Sequence, residues 1–295
     1  VNEANKKSVS RQDLAKHGGF EQISPEVGQL DEAAFDEAMQ NSPDETLSML
    51  ADLTAATDPA LRNLARRLAG RIMIELARTG AKSPRGIGKM ALRKFQPDVG
   101  DIDIDASLDV LNEFRLFGSL DADELRVRGW VRPGTAICVV VDRSGSMGGK
   151  PLATSAMAAA AVAAREPNDY SVLVFGNDVV VAKSQDAHKQ SDDVVNTVLA
   201  LRGFGTTDLA QALRTSHQQL DRSRASRRIT ILLSDCRATV EGDAVAAGMA
   251  LDELVVIAPA ADDVEAQIFA SAVGARFTTV SGPSDVPKAL ARVLD

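Results

Sequence analysis

Residues 136–147 read A-I-C-V-V-V-D-R-S-G-S-M, and this stretch restricts the fold more than any other. Five apolar residues, Ile137–Val141, end abruptly in Asp142, and hydroxyls follow at Ser144 and Ser146. A short β-branched run bounded by polar turn residues is the signal of a buried strand. Such a strand has no solvent-facing alternation, so it needs cover on both faces, the condition of a parallel sheet in an α/β domain. Asp142 is then lifted to the carboxyl end of a central strand, where open α/β sheets hold their ligands. D-x-S-x-S presents three oxygen side chains at alternate positions of a tight, Gly-containing loop, and hard divalent cations take such oxygens. The stretch reads as a metal site.

The rest of the chain fits that frame from Trp130 onward, where strand and helix patterns alternate. Pro151–Arg165 is Ala-rich and helix-forming. Tyr170–Phe175 and Val179–Ala182 flank Gly176-Asn177-Asp178, a hairpin signal that makes one strand antiparallel, at an edge. Helices are expected over Asp193–Leu201, Asp208–Leu220, Val240–Ala250, Val264–Val273 and Ser284–Leu294. Strands are expected over Arg228–Ser234, Leu254–Ala258 and Phe277–Val280. The expected fold is a doubly wound α/β domain over residues 131–295 with a mostly parallel, six-stranded sheet.

Upstream, the pattern is helical. Residues 1–24 are polar and mixed and read as a loose arm. Residues 25–130 read as a small, mainly helical region with an acidic lead-in. Leu30–Gln40 has a short helical pattern, and Ser42-Pro43-Asp44-Glu45 places an N-cap, a first-turn proline and a capping-box acid in register. Asp58-Pro59 opens a longer helix with Leu61, Leu64, Leu68, Ile72 and Leu76 on one face and Gly80 at its end. Gly100–Leu111 alternates Asp and Ile, as in a strand or extended linker, before turning helical. Its D-x-D-x-D run lacks the Gly and Glu of a calcium loop, since Ala106 and Asn112 stand there. Arg62 to Lys94 carries ten basic residues. Without aromatic interleaving, that run reads as a solvated face answering its acidic neighbour rather than a nucleic-acid surface.

Two further pieces echo the Asp142 stretch. Arg228–Ser234 is a second apolar strand, and its sequence I-L-L-S-D ends in Asp235. Between the two strands, Gly203–Leu213 reads G-F-G-T-T-D-L-A-Q-A-L, with Thr207 on a Gly-containing loop just before a helix. Together, D-R-S-G-S-M, G-T-T-D-L-A-Q-A-L and L-L-S-D resemble the three parts of the metal-ion-dependent adhesion site of von Willebrand factor A domains. The resemblance covers residues 131–295. It implies a metal set of Asp142, Ser144 and Ser146 from the first loop, Thr207 from the second and Asp235 from the third. Two departures are visible: Thr206 stands where a second Gly is common, and Cys236 where Gly often follows the Asp. Cys236 would narrow the crevice or make it redox-sensitive.

Three hydroxyls and two carboxylates suit Mg²⁺, with Mn²⁺ or Ca²⁺ as alternatives, and leave the ion electrophilic with a position open to solvent. A Glu or Asp from another protein can fill that position. The resemblance therefore implies a non-enzymatic, metal-dependent protein-binding module. A helical region ahead of such a domain is similar to the partners of MoxR-type AAA+ ATPases, including CoxE-like and magnesium-chelatase D-type subunits. That implies an AAA+ ATPase or its client as partner. The alternative is a Mg²⁺- or Mn²⁺-dependent hydrolase or phosphatase using the same ion.

Other chemistries fit less well. Ser144–Pro151 lacks the first Gly and the closing Ser or Thr of a phosphate-binding loop, and no G-x-S-x-G surrounds either serine. His17, His188 and His217 are scattered. Net charge is -8 and aromatic residues are 4%, which argues against nucleic acid and anionic membranes as partners. Two cysteines make no disulfide framework, and the first residues carry no apolar leader. The longest apolar helical stretch, Met157–Ala164, is far below the ~20 residues of a membrane span. The expected location is the cytoplasm.

Overall fold

The computed structural model describes residues 8–80, 89–94, 101–118, 124–131, 134–143, 149–201, 206–240 and 242–294. They divide into two compact units, one formed by residues 1–84 with 135–295 and the other by 85–134.

In the larger unit the sheet comprises β4 (Thr135–Asp142), β5 (Tyr170–Phe175), β6 (Val179–Lys183), β7 (Arg227–Leu233), β8 (Glu253–Pro259) and β9 (Arg276–Val280). These follow three strands of the smaller unit described below. The order is β6-β5-β4-β7-β8-β9, with every neighbouring pair parallel except the β5–β6 hairpin. This is the expected mixed α/β architecture, with the antiparallel strand at an edge. The chain runs outward from β4 to β6 and returns to β7 on β4's other side. The strand order thus reverses between β4 and β7.

Alternation along β4 divides the core in two. Ile137, Val139 and Val141 belong to one cluster, while Ala136, Cys138 and Val140 belong to the other. The second cluster is closed by α9 (Leu209–Leu220), α10 (Ala244–Met249) and α11 (Val264–Val273). On the first face lie α7 (Gly149–Arg165), α8 (Ser191–Ala200) and α12 (Val286–Leu294).

That first face carries a further layer. Upstream of the sheet the chain forms α1 (Arg11–Leu14), α2 (Phe20–Ile23), α3 (Glu32–Asn41), α4 (Pro43–Leu53) and α5 (Pro59–Gly80). Helix α4 packs on α7, and α5 packs on α7 and α8, so Phe35, Leu47, Leu50 and Met73 share one core with Ile137 and Val139. This explains the composition of α7. A helix enclosed on all sides must be apolar all round, and Ala156 and Ala158–Ala160 are fully buried between sheet and outer helices. Small side chains permit that close approach.

Two local expectations change. Residues 8–24 fold as α1 and α2, with Leu14, Phe20 and Ile23 buried, instead of trailing as an arm. Three apolar anchors among many polar residues suffice because they enter a core already built by α3–α5. Ser42 precedes α4, with Pro43 at its first turn, but makes no side-chain cap. Its backbone amide is closing α3 onto Ala38. One residue ends one helix and starts the next, so the capping box does not form.

The smaller unit is an antiparallel sheet of order β1-β3-β2, from Lys89–Lys94, Arg126–Val131 and Asp101–Ile102 respectively. Helix α6 (Leu108–Phe117) follows β2 through a 3₁₀ turn. Ser107 hydrogen-bonds both backbone groups of Arg126, and Asp103 pairs with Arg128 at 2.6 Å. The basic residues of 89–94 therefore lie on a strand, where a helical region was expected.

Candidate metal site at the sheet's carboxyl edge

Strands β4 and β7 run parallel in register from Thr135↔Arg227 to Val141↔Leu233. Asp142 ends the first, and Ser234-Asp235 directly follows the second. Adjacency and register bring the two carboxylates to one rim. Ser234 Oγ donates to Asp142 Oδ2 at 2.6 Å and accepts the amide of Cys236 at 2.9 Å. The amide of Arg237 donates to Asp235 Oδ1 at 3.0 Å. Asp142 and Asp235 both border a cavity of about 360 Å³.

Thr207 reaches this rim from a third direction. Its amide donates to Thr239 Oγ1 at 2.7 Å, and its carbonyl accepts the amides of Thr239 and Val240 at 3.1 and 3.2 Å. The loop before α9 is thus pinned to the segment leaving Asp235. On its other side, the Asp208 amide donates to the Gly176 carbonyl at 2.8 Å, tying the same loop to the exit of β5. Asp208 also caps α9 by accepting the Gln211 amide at 2.9 Å. Thr207 is 2% exposed. Thr206, found where a Gly was expected, donates its hydroxyl to Asn177 at 2.9 Å and joins the loop to the hairpin turn.

Ser144 and Ser146 lie outside the described residues. Among the described residues, no group of three or more His, Cys, Asp and Glu gathers to hold a metal. What the rim offers is two carboxylates with hydroxyls. An all-oxygen set of that kind fits a hard divalent cation.

Cys236 accounts for a departure noted in the sequence. Its φ is +60°, the left-handed conformation that favours glycine. Here cysteine accepts that conformation with its side chain buried. Burial, then the charges of Asp235 and Asp142, push its thiol up to about 12. Cys236 fills space beside the two carboxylates. Cys138, within β4, is fully buried and its thiol is pushed up to about 11 by burial.

Several residues that shape the rim escaped sequence reasoning. Ser234 could have been found, since its hydroxyl immediately precedes Asp235. Asp52 and Asp44 could not, because they come from α4 and meet the rim only through the fold. Asp52 Oδ1 accepts the Gly149 amide at 3.0 Å, which opens α7 three residues after Ser146. Asp52 Oδ2 also lies 3.1 Å from His17 Nε2. Asp44 Oδ1 accepts the Ser284 amide at 2.9 Å, at the turn between β9 and α12. Gly149 has φ +54°, and a Cβ on Gly282 would overlap the Asp44 carboxylate.

The reversal of strand order sets Asp142 and Asp235 at the carboxyl edge of a doubly wound α/β domain, the position at which open α/β sheets hold their ligands. Residues 137–237 match the family model of the von Willebrand factor type A domain, about a third of the chain. No curated protein matches the chain. Among solved structures, proximal thread matrix protein 1 from the mussel byssus is similar at 14% identity and TM-score 0.44, covering 55% of this chain and 47% of that one. This chain therefore spans about half the length of that protein. A von Willebrand factor type A protein from Catenulispora acidiphila matches at 15% identity and TM-score 0.43, over 55% of this chain and 42% of that one. The manganese-loaded TRAP protein of Plasmodium vivax matches at 16% identity and TM-score 0.43, over 55% and 72%. No helix among the described residues is long and apolar enough to cross a membrane.

Proposed function

We propose that the carboxyl edge is a metal-dependent protein-binding site in which Asp142, Ser144, Ser146, Thr207 and Asp235 hold one divalent cation. The observation that carries this reading is the meeting of Asp142 and Asp235 at the strand-order reversal, with the Thr207 loop pinned beside them. The oxygen donors favour Mg²⁺, with Mn²⁺ and Ca²⁺ as competitors. A bound ion supplies a hard, positive contact point for a carboxylate. The chain's own residues supply its placement: Ser234 orients Asp142, the Arg237 amide orients Asp235, and Thr239 holds the backbone of Thr207.

The role is adaptor rather than enzyme, and the partner donates an Asp or Glu. The fuller reading is an accessory subunit of a MoxR-type AAA+ ATPase, acting on that ATPase or its client in the cytoplasm. Its support is the resemblance of the domain together with the helical layer ahead of it. The free cysteines suit a reducing compartment.

The test is Asp142→Ala combined with Ser144→Ala. Mn²⁺ binding followed by calorimetry is expected to weaken at least tenfold, with cooperative unfolding retained. Divalent-dependent stabilisation should vanish too, a gain of about 2.7 kcal/mol at a hundredfold excess over Kd in the unsubstituted protein. Equal Mn²⁺ affinity in the two proteins would overturn the assignment. Partner capture that is the same in EDTA and in Mg²⁺ would overturn the binding role.

A further inference from the structure

The cavity beside the two carboxylates is larger and more apolar than an ion requires. Its volume of about 360 Å³ lies at the low end for ligand clefts. Leu233, Ile257, Pro259 and Val280 supply apolar wall, from the carboxyl ends of β7, β8 and β9. Ala260 stands at the mouth and is exposed. Lys150, also exposed, brings a cation to the same cavity from the first turn of α7.

We propose that this cavity is a specificity subsite for the residue next to the captured carboxylate, so that the partner is recognised as an acidic residue followed by a mid-sized aliphatic one. The inference rests on the metal-dependent reading above and adds the partner's chemistry to it. Three features point the same way. A pocket continuous with Asp142 and Asp235 lies within one residue's reach of anything held at the rim. Its apolar wall gains by covering an aliphatic side chain and gains nothing from a polar one. Lys150 at the mouth complements an acidic segment and opposes a basic one. The volume admits an aliphatic side chain such as Leu, Ile or Met together with its adjoining backbone.

The experiment uses the full chain and three synthetic peptides, Gly-Ser-Glu-Leu-Ser-Gly, Gly-Ser-Glu-Gly-Ser-Gly and Gly-Ser-Gln-Leu-Ser-Gly, titrated by NMR in Mg²⁺ and in EDTA. In Mg²⁺ the Glu-Leu peptide is expected to bind about tenfold tighter than Glu-Gly, the effect of burying one aliphatic side chain. The resonances of Ala260 and Val280 should move for Glu-Leu alone. In Ala260→Trp, checked for cooperative unfolding, the Glu-Leu to Glu-Gly ratio should fall close to one. Equal affinity for the two Glu peptides in the unsubstituted protein, with both dependent on Mg²⁺, overturns the subsite and leaves the metal reading standing. Gln-Leu binding as tightly as Glu-Leu, or no response of either Glu peptide to Mg²⁺, overturns both.

Discussion

At the amino-end rim of the sheet, Arg227 grips Glu253 through two hydrogen bonds of 2.7 and 2.9 Å, and Arg276 joins the same carboxylate at 2.6 Å. Asp169 accepts from Gln185 and Ser223, each at 2.6 Å. The buried Lys183 ammonium donates to the carbonyls of Tyr170 and Ser184 and lies 4.1 Å from the centre of the Tyr170 ring. At the carboxyl-end rim the arrangement differs. Two nearby arginines are engaged elsewhere, Arg143 by Asp178 and Arg237 by Asp262. Asp142 and Asp235 are instead approached by a hydroxyl and an amide. The loops of this rim are held by α4, whose Asp44 and Asp52 take backbone amides from two turns. At the amino rim one carboxylate, Glu253, meets two guanidiniums, while Asp169 and Lys183 are met by neutral donors and acceptors. The carboxyl rim spends its carboxylates on backbone, and keeps two of them beside a cavity.

If backbone amides held by α4 fix the carboxyl rim, crowding that contact should cost most. Gly282→Val would drive a side chain into the space of the Asp44 carboxylate. The backbone at Gly282 is extended, so the effect is one of space and not of conformation. The expected loss is about 2 kcal/mol, typical of overpacking, read from the midpoint of urea unfolding. Combining it with Asp44→Gly should recover part of that loss, since neighbours that share a space are not additive. Additive losses would detach Asp44 from this rim and break the comparison.

Asp52→Ala removes the acceptor of the Gly149 amide. Losing a helix N-cap costs about 1 kcal/mol, and here the cap is delivered from another helix. A matching substitution at the amino rim gives the contrast. Glu253→Gln weakens a partly exposed ion pair and should cost less than that. Because Gly149 lies so near Ser146 in sequence, Asp52→Ala should also lower Mn²⁺ affinity, whereas Glu253→Gln should leave it unchanged. Equal Mn²⁺ affinity in both variants would mean that α4 supports the fold without supporting the site.

Much of this was legible in the chain. The run Ile137–Val141 demanded cover on both faces, and the sheet provides it on both. Ser234 and Thr207 lie within the stretches that sequence singled out. The outer helical layer was written less openly, in α7, whose residues Met157–Ala163 leave no polar face for solvent. That pattern signals burial but not the identity of the covering element. Asp44 and Asp52 had no local signature at all. An aspartate that caps a distant turn has the same sequence as one facing water, and only the packing of α4 on α7 separates the two. Arg222, Arg227 and Arg228 likewise meet carboxylates, Asp186, Glu253 and Asp221, that the packing sets beside them.

The smallest effect probes the amino rim. Glu166, just past the end of α7, is half-buried, and its carboxyl is held above the usual range, first by burial and then by the charge of Asp169. A carboxyl raised on folding favours the folded state while protonated. That contribution is complete below its unfolded value of about 4.5 and is lost as pH rises through the higher folded value. At pH 7 the ionised group therefore works against the fold. Glu166→Gln removes that charge and should raise the urea midpoint at pH 7. Solvent still reaches the group, so the gain stays under about 1 kcal/mol. The gain should shrink toward zero as the pH falls below about 4.5, where Glu166 is neutral in both states. A variant less stable at pH 7, or a gain that grows in acid, would show that a partner favours the ionised Glu166 carboxylate in the folded state.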